Sequence, residues 1–356
     1  MAPLSLVSTI IPTHNRAALL QKALDSAYSQ QGVGELFDQE IIVVDDASID
    51  ATAEVVRRHP QVRYIRLAPP RRKLPRGASA ALNAGIAVSR GTFVAFLHDD
   101  DTWFPHRLKV QVSTLERHPD AGAVYSQEID PSSGRQGPDL SRGASGWIFQ
   151  ALLEKGDFVP VSTILIRRHA LDRVGYFDVG LATSEDWDLW LRLSYHFSIV
   201  FLPSVVSAHS ESPAGMMLTR AANGSAADDI ACVVRKALHM GRELDLSAEL
   251  KQRAWAHVRW PRAHVVHTAC SLALAAHSPR SAVRDFCAAL MASPGENLRQ
   301  RWMLRQTVAD IWVEVARALA SRNGKSKQTP IYEAVCAVVR APSIGRLTAL
   351  LRIAGT

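Results

Sequence analysis

The sequence predicts an α/β fold, a mostly parallel sheet flanked by helices, with an all-α domain after it. Three observations predict it. Short apolar runs of strand length alternate with stretches of helical spacing from Ser5 to about residue 215. Two of those runs end abruptly in acid, at Asp45-Asp46 and at Asp99-Asp100-Asp101. From Arg220 onward strand signals vanish and alanine, leucine and arginine dominate. The boundary therefore falls near residue 220, giving domains at 1–219 and 220–356.

Ser5 to Ile11 is a strand by composition, stopped by Pro12, and Thr13-His14-Asn15-Arg16 is a polar turn. Ala17 to Gln30 has helical spacing, with Leu20, Leu24, Ala27 and Tyr28 on one side. Glu40 to Val44 is a second strand, Asp50 to Arg58 a helix, and Arg63 to Leu67 a short strand. Residues 68–77 form a basic, proline-rich loop that includes Arg76. A helix from Ala78 to Ser89, rich in small residues, leads through Arg90-Gly91 into the run Phe93 to Leu97. That run is too short to prefer helix and suits a strand buried on both faces. Asp101 or Thr102 caps a helix entering at Trp103-Phe104-Pro105 and running to Arg117, with proline at its first position.

Ala121 to Tyr125 and Val159 to Ile166 read as strands, and Trp147 to Leu153 and Arg168 to Val174 as short helices. Residues 130–146 make a loop long enough to suggest function or motion. Ser184 or Thr183 caps a helix whose first turn holds Glu185, Asp186 and Asp188, favourable against its dipole. Ser198 to Leu202 is the last strand, followed by a polar loop to Gly215 that contains His209. The alternation implies βαβ units with right-handed crossovers. Beyond residue 220, packed helices are expected at 230–240, 248–260, 265–276 and 304–320, with a polar linker at 321–329.

The net charge of +7 hides an asymmetry. Residues 1–219 carry 21 Lys and Arg against 24 Asp and Glu, whereas residues 220–356 carry 20 against 10. The basic helical tail reads as an acceptor-side or homo-oligomerisation domain, or as a peripheral contact with anionic membrane lipid. No basic-aromatic motif supports nucleic-acid binding. No apolar run reaches the ~18 residues of a membrane span, and the N-terminus lacks the flank and cleavage site of a signal peptide. A cytoplasmic protein, at most peripheral to the inner face of the membrane, is the expectation. The four cysteines are widely spaced with no C-x-x-C pair, which argues against a zinc site and requires no disulfide.

Chemistry concentrates in the acidic clusters. Three adjacent carboxylates past a buried strand repel one another and lose hydration, costly without a cation between them. Oxygen ligands suit Mg²⁺ or Mn²⁺, and open α/β sheets bind ligands at the carboxyl ends of their strands. The plain alternative is an acidic helix N-terminus. His209 reads either as a metal or phosphate ligand or as a surface histidine. Neither a P-loop nor a G-x-G-x-x-G fingerprint is present, so nucleotide hydrolysis of that type and dinucleotide redox chemistry lose support.

Taken together, Val7 to Arg16, Ile41 to Ser48, Gly77 through Gly91, Phe96 to Trp103 and Ser184 to Arg192 resemble the family 2 glycosyltransferases of the Rossmann-like GT-A fold, over residues ~5–215. The resemblance implies an inverting transfer from a nucleoside-diphosphate-sugar donor to a hydroxyl acceptor, which could be a glycan, a lipid-linked sugar or a small molecule. Bacterial cell-surface polysaccharide or glycoconjugate synthesis is the implied setting. It further implies that Pro12, Thr13 and Asn15 line the base and ribose pocket, and that Asp46, with Asp45 beside it, accepts a hydrogen bond from the base. Arg76, or a nearby group of its loop, approaches the diphosphate and Asp99 faces the ribose. Asp100 is the main ligand of Mg²⁺ or Mn²⁺, assisted by Asp99 or Asp101. Asp186 is the general base, with Glu185 its neighbour, and His209 lies near metal or diphosphate. The chain departs from the family's pattern at His98, where many members carry Asp. A nucleotidyltransferase and a non-catalytic sugar-nucleotide-binding module are the alternatives.

Overall fold

A computed structural model of the chain describes residues 3–68, 77–129, 131, 143–209 and 225–258. Residues 1–215 and 228–257 make one compact unit. Its sheet has eight strands: β1 (Ser5–Thr13), β2 (Phe37–Asp45), β3 (Arg63–Arg66), β4 (Phe93–Phe96), β5 (Asp101–Trp103), β6 (Ala121–Ile129), β7 (Ile164–Arg167) and β8 (Ser198–His209). Their order across the sheet is β3-β2-β1-β4-β7-β6-β8-β5. The helices are α1 (Ala17–Tyr28), α2 (Thr52–Arg57), α3 (Ala78–Val88), α4 (Arg107–Arg117), α5 (Phe149–Lys155), α6 (Arg168–Val174) and α7 (Glu185–His196). Two more follow residue 220, α8 (Ser225–Met240) and α9 (Ala248–Ala256). The helices expected at 265–276 and 304–320 and the linker at 321–329 lie outside the described residues, as does Arg76.

The first half of the sheet is the parallel βαβ arrangement that the alternation implies. Seven successive residues of β1, Val7 to Thr13, are buried, as are all of β4 and the last five of β2. Strands covered on both faces tolerate such runs without polar alternation. Register then aligns their carboxyl ends: Thr13 faces Asp45, and Ile10 faces Phe96. The amide of Asp46 donates to the carbonyl of Thr13, and that of Leu97 to Ile10. Three acidic or polar stretches therefore emerge side by side at one edge.

The second half is mixed. β7 runs antiparallel to β4 and to β6, β8 runs parallel to β6, and β5 runs antiparallel to β8. The expectation of a mostly parallel sheet holds for β3-β2-β1-β4 and yields to a mixed sheet beyond. Three register shifts interrupt the β6–β8 pairing, between Ala121 and Ala123, between Tyr125 and Gln127 and between Gln127 and Glu128.

Three local expectations change. Pro12 does not stop β1, which pairs with β2 through Thr13; pairing on the β4 side ends at Ile10, so the donor that proline lacks is not needed there. Asp101 and Thr102 do not cap a helix. They form β5, because β8 continues past Leu202 to His209 and supplies a partner, and α4 starts only at Arg107. The strand expected from Val159 is shortened to β7, since Val161–Thr163 make a single 3-10 turn after Pro160.

Gly91 shows how tightly the central strands are seated. A Cβ there would lie 2.6 Å from the backbone nitrogen of Ser8 and 2.7 Å from the carbonyl oxygen of Leu6. Those are main-chain atoms and cannot step aside without parting β1 from the entry to β4. Gly91→Ala should cost about 1–3 kcal/mol of stability, seen as a lower urea midpoint with an unchanged slope.

Candidate active site

The turn after β1 is built from its own polar side chains. Asn15 takes a left-handed conformation (φ 53°), which Asn tolerates better than most residues. Its amide N–H donates to Ser48 Oγ (2.9 Å), and its side-chain oxygen accepts from the Ile49 amide (2.7 Å), tying the turns after β1 and β2 together. Asp45 is fully buried and internally satisfied: it accepts from the Ser48 amide (2.7 Å) and the Tyr64 hydroxyl (2.5 Å), with Arg66 at 3.6 Å. Burial and that contact with Asp45 push the Tyr64 phenol up to about 12. Asp46 differs. Its Oδ2 accepts from the Gly77 amide (2.8 Å), while its buried Oδ1 has no hydrogen-bond partner among the described residues. A buried acceptor without a donor is costly in a protein alone and natural where a ligand supplies the donor.

At the end of β4 the three aspartates are held apart by different partners. Asp99 accepts from Thr13 Oγ1 (2.7 Å), and Arg16 Nη1 donates to both Asp99 (3.0 Å) and Asp100 (2.7 Å). Asp101 turns the other way, accepting from Ser162 Oγ and sitting 2.7 Å from His209 Nδ1. That contact with Asp101, opposed by partial burial, raises His209 to about 9. Burial raises the Asp99 carboxyl, against the pull of Thr13 and Arg16. Glu128, on β6, faces the same cluster; burial and then Asp101 push it up to about 7, partly offset by His209 and His98.

Ligand atoms of His98, Asp100 and Asp101 all lie within 4.8 Å of one another. His98 Nε2 is buried and has no hydrogen-bond partner among the described residues, so an imidazole nitrogen is open to a ligand. One nitrogen and two carboxylates form a donor set that a divalent ion fits.

A second acidic pair stands at the start of α7. Asp186 Oδ1 accepts from the Trp187 amide (2.8 Å), and its carboxyl also hydrogen bonds to Asp157, which follows α5. Asp157 is itself exposed to solvent. Crowding by protein, then repulsion from Asp186 and Glu185, raises the Asp157 carboxyl from its ordinary value. Trp187 Nε1 donates to the Leu152 carbonyl (3.2 Å), locking α7 to α5.

The family model described as Glycosyl transferase family 2 matches residues 8–175. Those residues are a family 2 glycosyl transferase domain. An uncharacterized glycosyltransferase of Nostoc is 29% identical over 209 residues, 56% of this chain and 61% of that protein. The succinoglycan biosynthesis protein ExoO of Rhizobium meliloti is 38% identical over 117 residues, 33% of this chain and 31% of ExoO. This chain thus spans less than two thirds of the length of either. Among solved structures, S. aureus TarS 1-349 in complex with UDP-GlcNAc superposes with a TM-score of 0.55 at 16% identity, covering 97% of this chain and 90% of that one. The mannosyltransferase PcManGT from Pyrobaculum calidifontis, in complex with GDP-Man and Mn2+, gives 0.52 at 20% identity, covering 90% and 89%. The shared architecture is that of the GT-A glycosyltransferases.

Of the family 2 residues named from sequence, Thr13, Asp99 and Asp100 meet around Arg16, Asp101 meets His209, and Asp46 sits beside Gly77. Asn15 works within the turn itself. Four contributors were missed. Arg16 lies within the quoted motif, so its place was a usable signal, and His98 stood at the departure from the family's pattern. Glu128 and Asp157 are single acids in unremarkable segments, and only the tertiary fold reveals them.

An acid whose folded pKa is raised above its unfolded value, here 3.8, is protonated in both states at low pH and makes folding less favourable as pH rises past that value. Asp157→Asn removes that effect. The variant should melt higher than wild type near pH 8 and indistinguishably from it near pH 4, by calorimetry across that range.

Proposed function

We propose that this domain is a metal-dependent, inverting transferase. It moves a sugar from a nucleoside diphosphate to a hydroxyl acceptor during synthesis of a bacterial cell-surface polysaccharide or glycoconjugate. One observation carries the reading. Asp157, which touches Asp186, and Ser162, which holds Asp101, belong to one short segment. Five residue steps span at most about 18 Å when fully extended, so the acid pair and the aspartate cluster lie within reach of one sugar-nucleotide. The biosynthetic setting rests on relatives named for it, ExoO and the O-antigen biosynthesis protein RfbC of Myxococcus xanthus, which is 30% identical over 192 residues, 53% of this chain and 14% of RfbC.

Each residue then has a task. Asp46, with its unpartnered Oδ1, accepts an N–H of the nucleotide base, in the pocket that Pro12, Thr13 and Asn15 border. Asp99 faces the ribose. Asp100, Asp101 and His98 would hold a divalent ion, which would supply charge neutralisation to the leaving diphosphate. Arg16, already balancing Asp99 and Asp100, adds a fixed positive charge beside it. Asp186 takes the acceptor hydroxyl's proton as that oxygen attacks the anomeric carbon and the bond to the diphosphate breaks. Repulsion between Asp157 and Asp186 favours a single negative charge on the pair. Attack opposite the leaving group inverts the anomeric centre.

Asp186→Asn should lower turnover by about 10²–10⁴-fold, and Asp100→Ala should abolish it, with both variants folded by circular dichroism. The product to measure is nucleoside diphosphate; pyrophosphate would instead mark a nucleotidyltransferase. Chelation with EDTA should stop transfer, and added Mg²⁺ or Mn²⁺ should restore it; unchanged turnover under chelation would remove the ion from the reaction.

A further inference from the structure

Ser184 is the residue immediately before the acidic pair Glu185-Asp186, and it is held in the left-handed region (φ 60°, ψ 22°). A side-chain-bearing residue other than Asn or Asp seldom rests there unless its surroundings hold it. The hold comes from beyond residue 220. Asp229, on α8, accepts three hydrogen bonds on one carboxylate oxygen: from the Ala182 amide (3.0 Å), the Thr183 amide (2.9 Å) and Thr183 Oγ1 (3.1 Å). Two turns along the same helix, Lys236 reaches Asp178 (2.9 Å) and Asp188 (2.5 Å). Asp188 is almost wholly buried and also pairs with Arg192 (2.8 Å), which in turn donates to the carbonyls of Val174 and Tyr176. The segment that delivers Asp186 is thus gripped on the N-terminal side by Asp229 and on the helix side by Lys236.

We propose that Asp229 is a positioning residue for catalysis: α8 reaches back to fix the 182–184 turn, and that turn aims Asp186 at the acceptor hydroxyl. The proposal rests on the reading of Asp186 as the base. It assigns to a helix outside the family 2 match, which ends at residue 175, the completion of the reaction centre. A carboxylate is suited to this post because three convergent donors need one strong acceptor. The nucleotide pocket lies with β1, β2 and β4, so loss of Asp229 acts on the chemical step rather than on donor binding.

The test compares wild type, Asp229→Ala, Asp229→Asn and the double variant Asp229→Ala/Ser184→Gly. Misplacing a reacting group by about 1 Å costs up to 10²-fold, so Asp229→Ala should lose about ten- to a hundredfold in kcat with the donor KM unchanged. Asp229→Asn keeps an acceptor oxygen and should recover most of that loss. Adding Ser184→Gly to Asp229→Ala should recover part of it, because glycine adopts the left-handed turn unaided. Asp229→Ala turning over within twofold of wild type, or Asp229→Asn losing as much as Asp229→Ala, would overturn the assignment. Hydrogen exchange gives a readout independent of activity: amides 182 and 183 should exchange faster in Asp229→Ala. Unchanged exchange there would overturn the docking itself, whereas full activity in Asp186→Asn would overturn only the role of the base.

Discussion

Crowded negative charge past β4 is the constraint to which the rest of the site answers. Two like charges about 4 Å apart repel by about 4 kcal/mol at an effective dielectric near 20, and three aspartates in sequence cannot avoid such contacts. The fold separates them by assigning partners from different elements. Arg16 and Thr13 from the β1 turn take Asp99 and Asp100, while Ser162 and His209 take Asp101. The result is a cluster with Arg16 against Asp99 and Asp100, His209 against Asp101, and the His98 ring close to Asp100 and Asp101. Burial, and after it the charge of Asp101, raises Glu128 beside this cluster.

The two halves of the sheet divide the labour. The parallel half aligns three carboxyl ends by register and so makes the kind of edge at which open α/β sheets bind ligands. The mixed half contributes β5 and β8, whose antiparallel pairing sets Asp101 opposite His209. The segment from Asp157 to Ser162 crosses between them. Its ends touch the two acidic centres, and its middle is anchored where Trp190 Nε1 donates to the carbonyl of Val159 (3.0 Å). Sequence distance between Asp100 and Asp186 therefore says little about their spatial relation, which this crossing governs.

Much of this was legible in the sequence. Strands flanked by covering helices advertise themselves as apolar runs, so β1, β2 and β4 were plain, as were the acids that end two of them. What escaped depended on pairing across long separations. β5 has three residues and exists because β8 runs on to meet it; no local pattern distinguishes Asp101-Thr102-Trp103 from a helix cap. Asp157 and Glu128 are isolated acids whose meaning comes from Asp186 and Asp101. The charge asymmetry drew a boundary near residue 220, yet composition cannot show that Asp229 and Lys236 turn back onto the α/β unit.

The register shifts in β6 have a consequence for how such a site can change over time. Side chains on a strand alternate faces with a period of two, and an irregularity just before Glu128 resets which face that carboxyl adopts. Point substitutions can swap the acid for another group but leave its direction alone. Gain or loss of a single codon in the 126–128 stretch would instead rotate the whole position out of the cluster at once. Length, more than identity, is the lever by which descendants of this chain could open or close the ground beside Asp101.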